Sequence, residues 1–525
     1  MRNFRNSFLN VPPLELLGEC IMPRLQIEQF TEDADYAERT IKLVRDRKAG
    51  GFCVFGGSPD MVVRVIQTLQ AEAESAHGIP LIFSADCEFG LPMRFKGNGG
   101  SGGGTEFPDA MAIGRTGDPE FARAVGQAIA KEMKSIGITW NFAPIADVNS
   151  NPANPIINTR SFGEQPEIVS RFAVPFMLGL EEESVAATAK HFPGHGDTSV
   201  DSHRELPFVD GDWNRFSTLE LPPFEALIGA GVRSIMTGHL AAPQLAEFLG
   251  APLEDRFLPA TLSRTLTTTL LRDRMGFEGV IVTDALEMKG VTDLFGDAEV
   301  AIRAFESGAD ILLMPPDPVI AYDALTTALL QGRITEEQIQ EKISRIVKLK
   351  EFAAIEARQI SIYNLTALEQ DHATLARQVA EQAIEVKGTI DLHDAHLLVL
   401  SDDRPEAIGK AQVFTDRAAM LFRSSQLETV SEWNENSEWK PNTVLVTFHR
   451  ARGYLGGTAT NASMPRIMAH LAKKISTEHL TLKGLVLFGS PYLDSELRAE
   501  PGFVLKTFSE SSASIEAVLQ KLLAV

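Results

Sequence analysis

Between residues 51 and 314 the chain repeats one pattern: a short apolar run, a polar or glycine break, then a longer stretch of helical period. The runs lie at 51–55, 80–84, 138–143, 185–189, 234–237, 279–283 and 309–314. Such alternation predicts βα units around a parallel sheet, because parallel strands are buried on both faces and need a crossover helix between them. Most runs hand over to chemistry-bearing residues: Asp86, Asp147, Lys190 with His191, His239 and Asp284. A purely structural sheet has no need of that, whereas a (β/α)8 barrel builds its active site from loops at the C-terminal ends of several strands. The expected fold class is therefore α/β, opening with an N-terminal (β/α)8 TIM-like barrel. Seven strands are visible, and the eighth is expected from a strand near the N-terminus or an irregular one.

Between the runs lie helical stretches such as 118–133, where Asp118 is placed to cap and Pro119 to start the helix. An amphipathic helix over 335–354 ends the barrel, and a second follows over 367–385. Buried-type strands then recur at 396–400, 443–448, 484–488 and 503–507, separated by helical stretches, which predicts a C-terminal three-layer α/β sandwich. The expected domains are a catalytic barrel over 1–355, a helical linker over 356–388 and the sandwich over 389–525. No cluster of reactive residues marks the sandwich, so a structural or dimer-forming role is expected there, compatible with a homo-oligomer. The glycine-rich stretch 97–104 lacks the Lys-Ser/Thr ending of a phosphate-cradling loop and reads as a surface loop.

Charge and cysteine usage exclude several partner classes. The net charge of −21 would repel a phosphate backbone, which argues against nucleic acid. Cys20, Cys53 and Cys87 are odd in number and widely spaced, so they build neither a disulfide framework nor a zinc ribbon, and a reducing compartment is favoured. The first twenty residues hold no apolar core of a signal peptide, and no segment approaches the ~18 apolar residues of a membrane span. A cytoplasmic protein without membrane contact is expected.

The densest chemistry lies in KHFPGHGDTSVDSH, residues 190–203, where three His, two Asp and a Lys share a segment broken by Pro193, Gly194 and Gly196. It reads as a loop after a short strand, bending polar groups toward a site. Asp201 and His203 form a D-x-H pair. In an extended chain residues two apart point to the same side, so the carboxylate can hold the imidazole and favour its protonated form. His203 is then a credible acid. Asp284, at the end of an apolar strand, would aim into the barrel mouth, and by spacing alone it suits a structural Asp as well as a nucleophile. His191, His195, Asp197, Asp201 and His203 could instead bind a metal, yet they crowd one loop, with no H-E-x-x-H helix. His239 reads as a packing residue at the barrel top, Glu287 and Met288 as cleft lining or a helix start, and His195 and Asp197 as shaping the loop.

KHFPGHG with its following DSH, together with IVTDALEM, NFAPIADV, NTRSFG, IMTGHL and PATLS, resembles glycoside hydrolase family 3, in its two-domain bacterial β-N-acetylglucosaminidase branch, over residues 12–350. The segment GSPYL and the strand pattern extend the likeness to the C-terminal sandwich. The resemblance implies a retaining exo-enzyme that removes terminal, non-reducing β-linked N-acetylglucosamine, needing neither cofactor nor metal. Asp284 would be the nucleophile and Asp201 with His203 the acid/base dyad. Lys190 and His191 would bind sugar hydroxyls, and Asp86, Arg94 and Arg160 would grip the same sugar. Where the branch often shows D-x-E-G-G this chain has Asp86-Cys-Glu-Phe-Gly90, so a bulkier rim beside Asp86 is expected from Phe89. A histidine acid is uncharged once it has given its proton, so an anionic aglycone is not repelled. A peptidoglycan fragment is thus an apt small carbohydrate substrate. A β-N-acetylglucosaminide phosphorylase of the same fold is the alternative. A β-glucosidase or β-xylosidase of the family would be expected to place a Glu acid in the second domain and to lack DSH. A degenerate sugar-binding protein would be expected to lack Asp284 or His203, and both are present.

Overall fold

The structure, a computed structural model, describes residues 8, 11–97, 103–198, 206–353, 362–433, 440–450, 460–478, 481–497 and 500–525. Among the described residues nine parallel strand pieces build the N-terminal unit: β1 (Ile21–Met22), β2 (Arg24–Gln26), β3 (Gly51–Phe55), β4 (Ile82–Ala85), β5 (Trp140–Asn141), β6 (Thr188–Phe192), β7 (Ser234–Thr237), β8 (Val280–Thr283) and β9 (Leu312–Leu313). β2 to β5 pair in order, and so do β6 to β8. Single bridges, Trp140 to Ala186 and Val282 to Ile311, carry the ladder from β5 to β6 and from β8 to β9. β9 then pairs with β1, so the sheet closes on itself. β1 and β2 are two halves of one strand broken at Pro23, which cannot donate to a ladder but whose carbonyl still accepts from Cys53 at 2.9 Å. This is the eighth barrel strand.

The strand expected at 185–189 runs further, to Phe192, with Lys190 and His191 inside it rather than in a loop. Register is the reason: Phe192 still pairs with Thr237 beyond an irregularity that spans Lys190 and His191, and Lys190 bridges to Ile145 on the other side, so the strand continues past the polar pair. The helix Pro119–Ser135 starts as its sequence demands, with the Asp118 carboxylate accepting from the Glu120 amide at 3.0 Å. The helix Glu336–Phe352 opens with a capping box between Thr335 and Gln338 and buries Ile339 and Ile346 completely. Each such side chain contributes about 1.5–3 kcal/mol of burial.

The helix Ile362–Ala383 leads into a second sheet of β10 (Glu385–Gly388), β11 (His396–Ser401), β12 (Ser425–Thr429), β13 (Thr443–His449), β14 (Leu482–Gly489) and β15 (Phe503–Lys506), ordered β10-β15-β14-β13-β11-β12. All neighbours are parallel except β10 with β15. Leu397, Val399, Val444 and Val446 face one side, against Phe414 and Val518 of the helices Pro405–Ala418 and Ser512–Leu523. Leu398, Leu400, Leu445 and Leu485 face the other, against Met468 and Leu471 of the helix Thr460–Glu478. Period-two alternation with apolar residues at both parities is what a sheet covered on both faces requires. The expected sandwich start at 389 is corrected to include β10, an exposed antiparallel edge strand whose polar sequence EVKG carries no apolar run. Among the described residues no helix is long and apolar enough to cross a membrane.

Candidate active site

A cavity of about 370 Å³ opens at the C-terminal ends of the barrel strands, with Arg24, Asp86, Lys190, His191, Asp284 and Glu287 in its wall. Three cations and two carboxylates form one network on its floor. Lys190, 2% exposed, donates from Nζ to Asp86 Oδ1 at 2.7 Å and pairs with Glu88 Oε1 at 2.9 Å. Arg160 grips Glu88 with two parallel bonds, Nε at 2.9 Å and Nη2 at 2.7 Å. Arg94 closes the other end on Asp86 Oδ2 at 2.5 Å.

Burial alone would push both carboxyls up. The Lys190 ammonium and Arg94 guanidinium outweigh it for Asp86, and Arg160 with Lys190 does so for Glu88, holding both well below the ordinary range. Burial likewise lowers Lys190, and the carboxylates of Asp86 and Glu88 overcome it, so its pKa rises. All five groups are charged at neutral pH.

The sequence assigned Asp86, Arg94, Arg160 and Lys190 to sugar contact, and the structure brings all four together. Glu88, which joins Lys190 to Arg160, was missed. Its signal was available, since Asp86-Cys-Glu88 repeats the i, i+2 spacing already used for Asp201 and His203. The expected bulky rim is a correction. Phe89 is 6% exposed, is not part of this cavity's wall, and lies under the Arg450 guanidinium at 4.3 Å. Its side chain lines a separate cavity with Met93, Phe95 and Glu106, and its carbonyl accepts from Phe107 N at 2.9 Å.

His191 is held from beneath by Asp147, fully buried, whose Oδ2 lies 2.8 Å from His191 Nδ1. Asp147 Oδ1 also accepts from the backbone of His195 at 2.8 Å and of His191 at 3.1 Å. Burial raises the Asp147 carboxyl, but His191 beside it and the His195 amide bring it below its usual value. With Nδ1 engaged by Asp147, Nε2 is the ring nitrogen that His191 turns to the cavity. His195, expected only to shape the loop, does that through Thr198 at 2.7 Å from Nδ1 and also stands in the cavity wall. Burial, with His191 adding to it, pushes its pKa down to about 4, so its ring is neutral at pH 7. Asp197 accepts from Arg215 at 2.6 Å.

Asp284 follows β8 directly, and its Oδ1 accepts from the Ala285 amide at 2.8 Å. His239 braces this turn from a fully buried position, with Nε2 2.8 Å from the Ala285 carbonyl and Nδ1 2.8 Å from Thr261 Oγ1. Glu287 and Met288 both line the cavity, and Glu287 pairs with Arg24, the first residue of β2. Cys53 lines it as well, with burial pushing its thiol up to about 12, which removes it as a thiolate nucleophile. Asp201 and His203 lie outside the described residues. Among the described residues no group of three or more His, Cys, Asp or Glu is arranged to hold a metal ion.

Buried charges of both signs beside a strand-end carboxylate suit a small, hydroxyl-rich, uncharged ring, which can donate to Asp86 and accept from Lys190 without bringing net charge. Residues 21–349 match the Glycosyl hydrolase family 3 N terminal domain. The chain is 36% identical over 434 residues to Beta-hexosaminidase A of Pseudoalteromonas piscicida, an alignment covering 78% of this chain and 72% of that protein. It is 28% identical over 363 residues to a Beta-N-acetylglucosaminidase/beta-glucosidase of Cellulomonas fimi, covering 68% and 61% of the two chains. Among solved structures it is similar to a glycoside hydrolase family 3 beta-N-acetylglucosaminidase from Paenibacillus sp. str. FPU-7, with a TM-score of 0.79 at 28% identity over 98% of this chain and 97% of that one. It shares the fold of the beta-glucoside phosphorylase BglX, with a TM-score of 0.80 at 20% identity over 99% and 93% of the two chains.

Proposed function

The chain belongs to glycosyl hydrolase family 3, and from that premise we propose that it is a retaining exo-β-N-acetylglucosaminidase acting on peptidoglycan fragments in the cytoplasm. The observation that carries the reading is the buried network of Asp86, Glu88, Lys190, Arg94 and Arg160 in the same cavity wall as Asp284. Sugar hydroxyls donating to Asp86 and accepting from Lys190 and Arg160 make charge-assisted bonds worth about 1.5–3 kcal/mol each. His191 Nε2 hydrogen-bonds a further hydroxyl.

In the first step Asp284 Oδ attacks the anomeric carbon, the bond from that carbon to the glycosidic oxygen breaks, and His203 gives its proton to the departing oxygen. Asp201 holds the imidazole in the tautomer this requires. In the second step the neutral His203 takes a proton from water, whose oxygen attacks the same carbon and frees the Asp284 carboxylate. Two displacements on opposite faces retain the β configuration. Because the base is an uncharged imidazole, a carboxylate on the aglycone is not repelled, which supports a peptidoglycan fragment as substrate. The same neutrality favours phosphate as the second-step acceptor, which is the one rival reading. The three cysteines are buried thiols without disulfide partners, which supports the cytoplasmic placement.

The test is turnover of 4-nitrophenyl β-N-acetylglucosaminide beside the matching β-glucoside, each with and without phosphate. Preference for the N-acetyl sugar, independent of phosphate, is expected. Phosphate acceleration with release of a sugar 1-phosphate makes the enzyme a phosphorylase, and turnover of neither sugar refutes the reading.

A further inference from the structure

Among the described residues the C-terminal sandwich contributes no side chain to the wall of the sugar cavity, yet two of its residues end at the two arms of the network that the proposed function uses. The first is Tyr492 of the GSPYL segment, in the turn Pro491–Leu493 after β14. Its hydroxyl donates to Glu164 Oε1 at 2.8 Å and accepts from Asn149 Nδ2 at 2.9 Å. Asn149 is fully buried, and its Oδ1 in turn accepts from the Asn158 amide at 2.9 Å. Asn158 has a positive φ of 44° and opens the single turn Asn158–Arg160, from which Arg160 reaches Glu88. Asn tolerates that conformation better than other non-glycine residues, and the bond to Asn149 Oδ1 holds its amide there. The Asn149 side-chain amide that accepts this bond is in turn held by Tyr492.

The second is Arg450, at the end of β13 and 3% exposed. It pairs with the buried carboxylate of Asp109 and lays its guanidinium over the ring of Phe89 at 4.3 Å. Phe89 follows Glu88 directly. The amide of Asp109 donates to Ser509 Oγ of the same sandwich at 3.1 Å, so the platform under Arg450 is itself tied across the domains.

We infer that the sandwich is a positioning device for the sugar grip: Tyr492 sets the turn that carries Arg160, Arg450 sets the turn that carries Glu88, and together they fix the bidentate Arg160–Glu88 pair. This rests on the network being the sugar site. Neither residue touches substrate, so both are positioning residues. Loosening either one weakens ground-state sugar binding and leaves the chemistry at Asp284 alone.

Tyr492→Phe tests the idea with the ring kept in its pocket of Met111, Ala112, Ala383 and Phe508. Loss of the hydroxyl, which removes both the bond from Asn149 and the bond to Glu164, is expected to raise KM for the aryl β-N-acetylglucosaminide about fivefold, with kcat within about twofold of wild type. Hydrogen exchange in the segment 149–163 is expected to accelerate over the same change. Arg450→Lys, which keeps the charge on Asp109 but loses the flat stack on Phe89, is expected to raise KM similarly and to accelerate exchange in 86–90. Lys410→Ala removes another cross-domain pair, with Glu106 at 2.6 Å, and is expected to alter neither KM nor exchange in these turns. Wild-type KM or wild-type exchange in Tyr492→Phe overturns the inference, as does an equal KM rise in Lys410→Ala. Absence of turnover by the wild type overturns the proposed function instead, while exchange still judges the brace.

Discussion

Replacing Glu88 by Gln removes one negative charge and almost no volume from the centre of the network. Three short contacts end on that carboxylate: two from Arg160, at 2.9 and 2.7 Å, and one from Lys190 at 2.9 Å. Arg160 and Lys190 are 4% and 2% exposed, so water cannot take over their solvation. After substitution three cations share the single carboxylate of Asp86, and the new amide N–H group faces one of them. Breaking a buried pair by removing one partner costs about 3–5 kcal/mol. The amide oxygen still accepts one bond, which puts the expected loss near the lower end, about 3 kcal/mol. Urea denaturation at pH 7 reads it as a lower midpoint at unchanged slope for the transition of the barrel. Because Arg160 loses its bidentate partner, KM for the aryl β-N-acetylglucosaminide is expected to rise at least about tenfold. A loss under about 1 kcal/mol together with unchanged KM would mean that the network behaves as a solvated surface pair, and the reasoning from burial would fail.

Asp284→Ala is expected to abolish turnover while N-acetylglucosamine still binds by calorimetry; near-wild-type turnover would remove it from the nucleophile role. His203→Ala should slow substrates with poor leaving groups far more than activated phenols, and equal losses on both would count against proton donation. His195 supplies a pH test, because its folded pKa is pushed down to about 4 from an ordinary 6.5. Between those values the unfolded chain binds a proton that the folded chain does not, so stability falls as pH drops through the window, by about 3 kcal/mol in all. His195→Gln should flatten the plot of unfolding free energy against pH between 6.5 and 4, and an unchanged slope would contradict the assignment. The depressed carboxyls of Asp86, Glu88 and Asp147 add an acid loss in both proteins, felt below the ordinary carboxylate range.

The barrel was legible because parallel strands covered on both faces leave continuous apolar runs, and every run from 51–55 to 309–314 overlaps one of β3 to β9. The first strand was not, because Pro23 splits it and Arg24 and Gln26 interrupt its apolar pattern. β12, SQLET, escaped for a related reason: an edge strand need not be apolar on both faces. In the site, residues fixed by position along their own strand could be read, and residues fixed by partners far along the chain could not. Asp147 was visible as a strand-end acid, but nothing local says that it holds His191. Tyr492 could be noted within GSPYL, while its bond to Asn149 exists only after two domains dock. Phe89 was misread because a glycine position in a motif says that space is tight without saying on which side.

The closure of the barrel sets the order in which the protein can be made. β1 leaves the ribosome first, and its edge partner β9 follows about 290 residues later. Until Leu312 and Leu313 emerge, Ile21 and Met22 have no ladder on that side, and β8 ends in an open edge. Contacts this distant along a chain form slowly, and unpaired edges invite pairing with other chains. The half-made barrel is therefore the species that chaperones must shield. A truncation that removes only β9 would leave most of the sugar network in the sequence and still expose two edges where the finished ring has none.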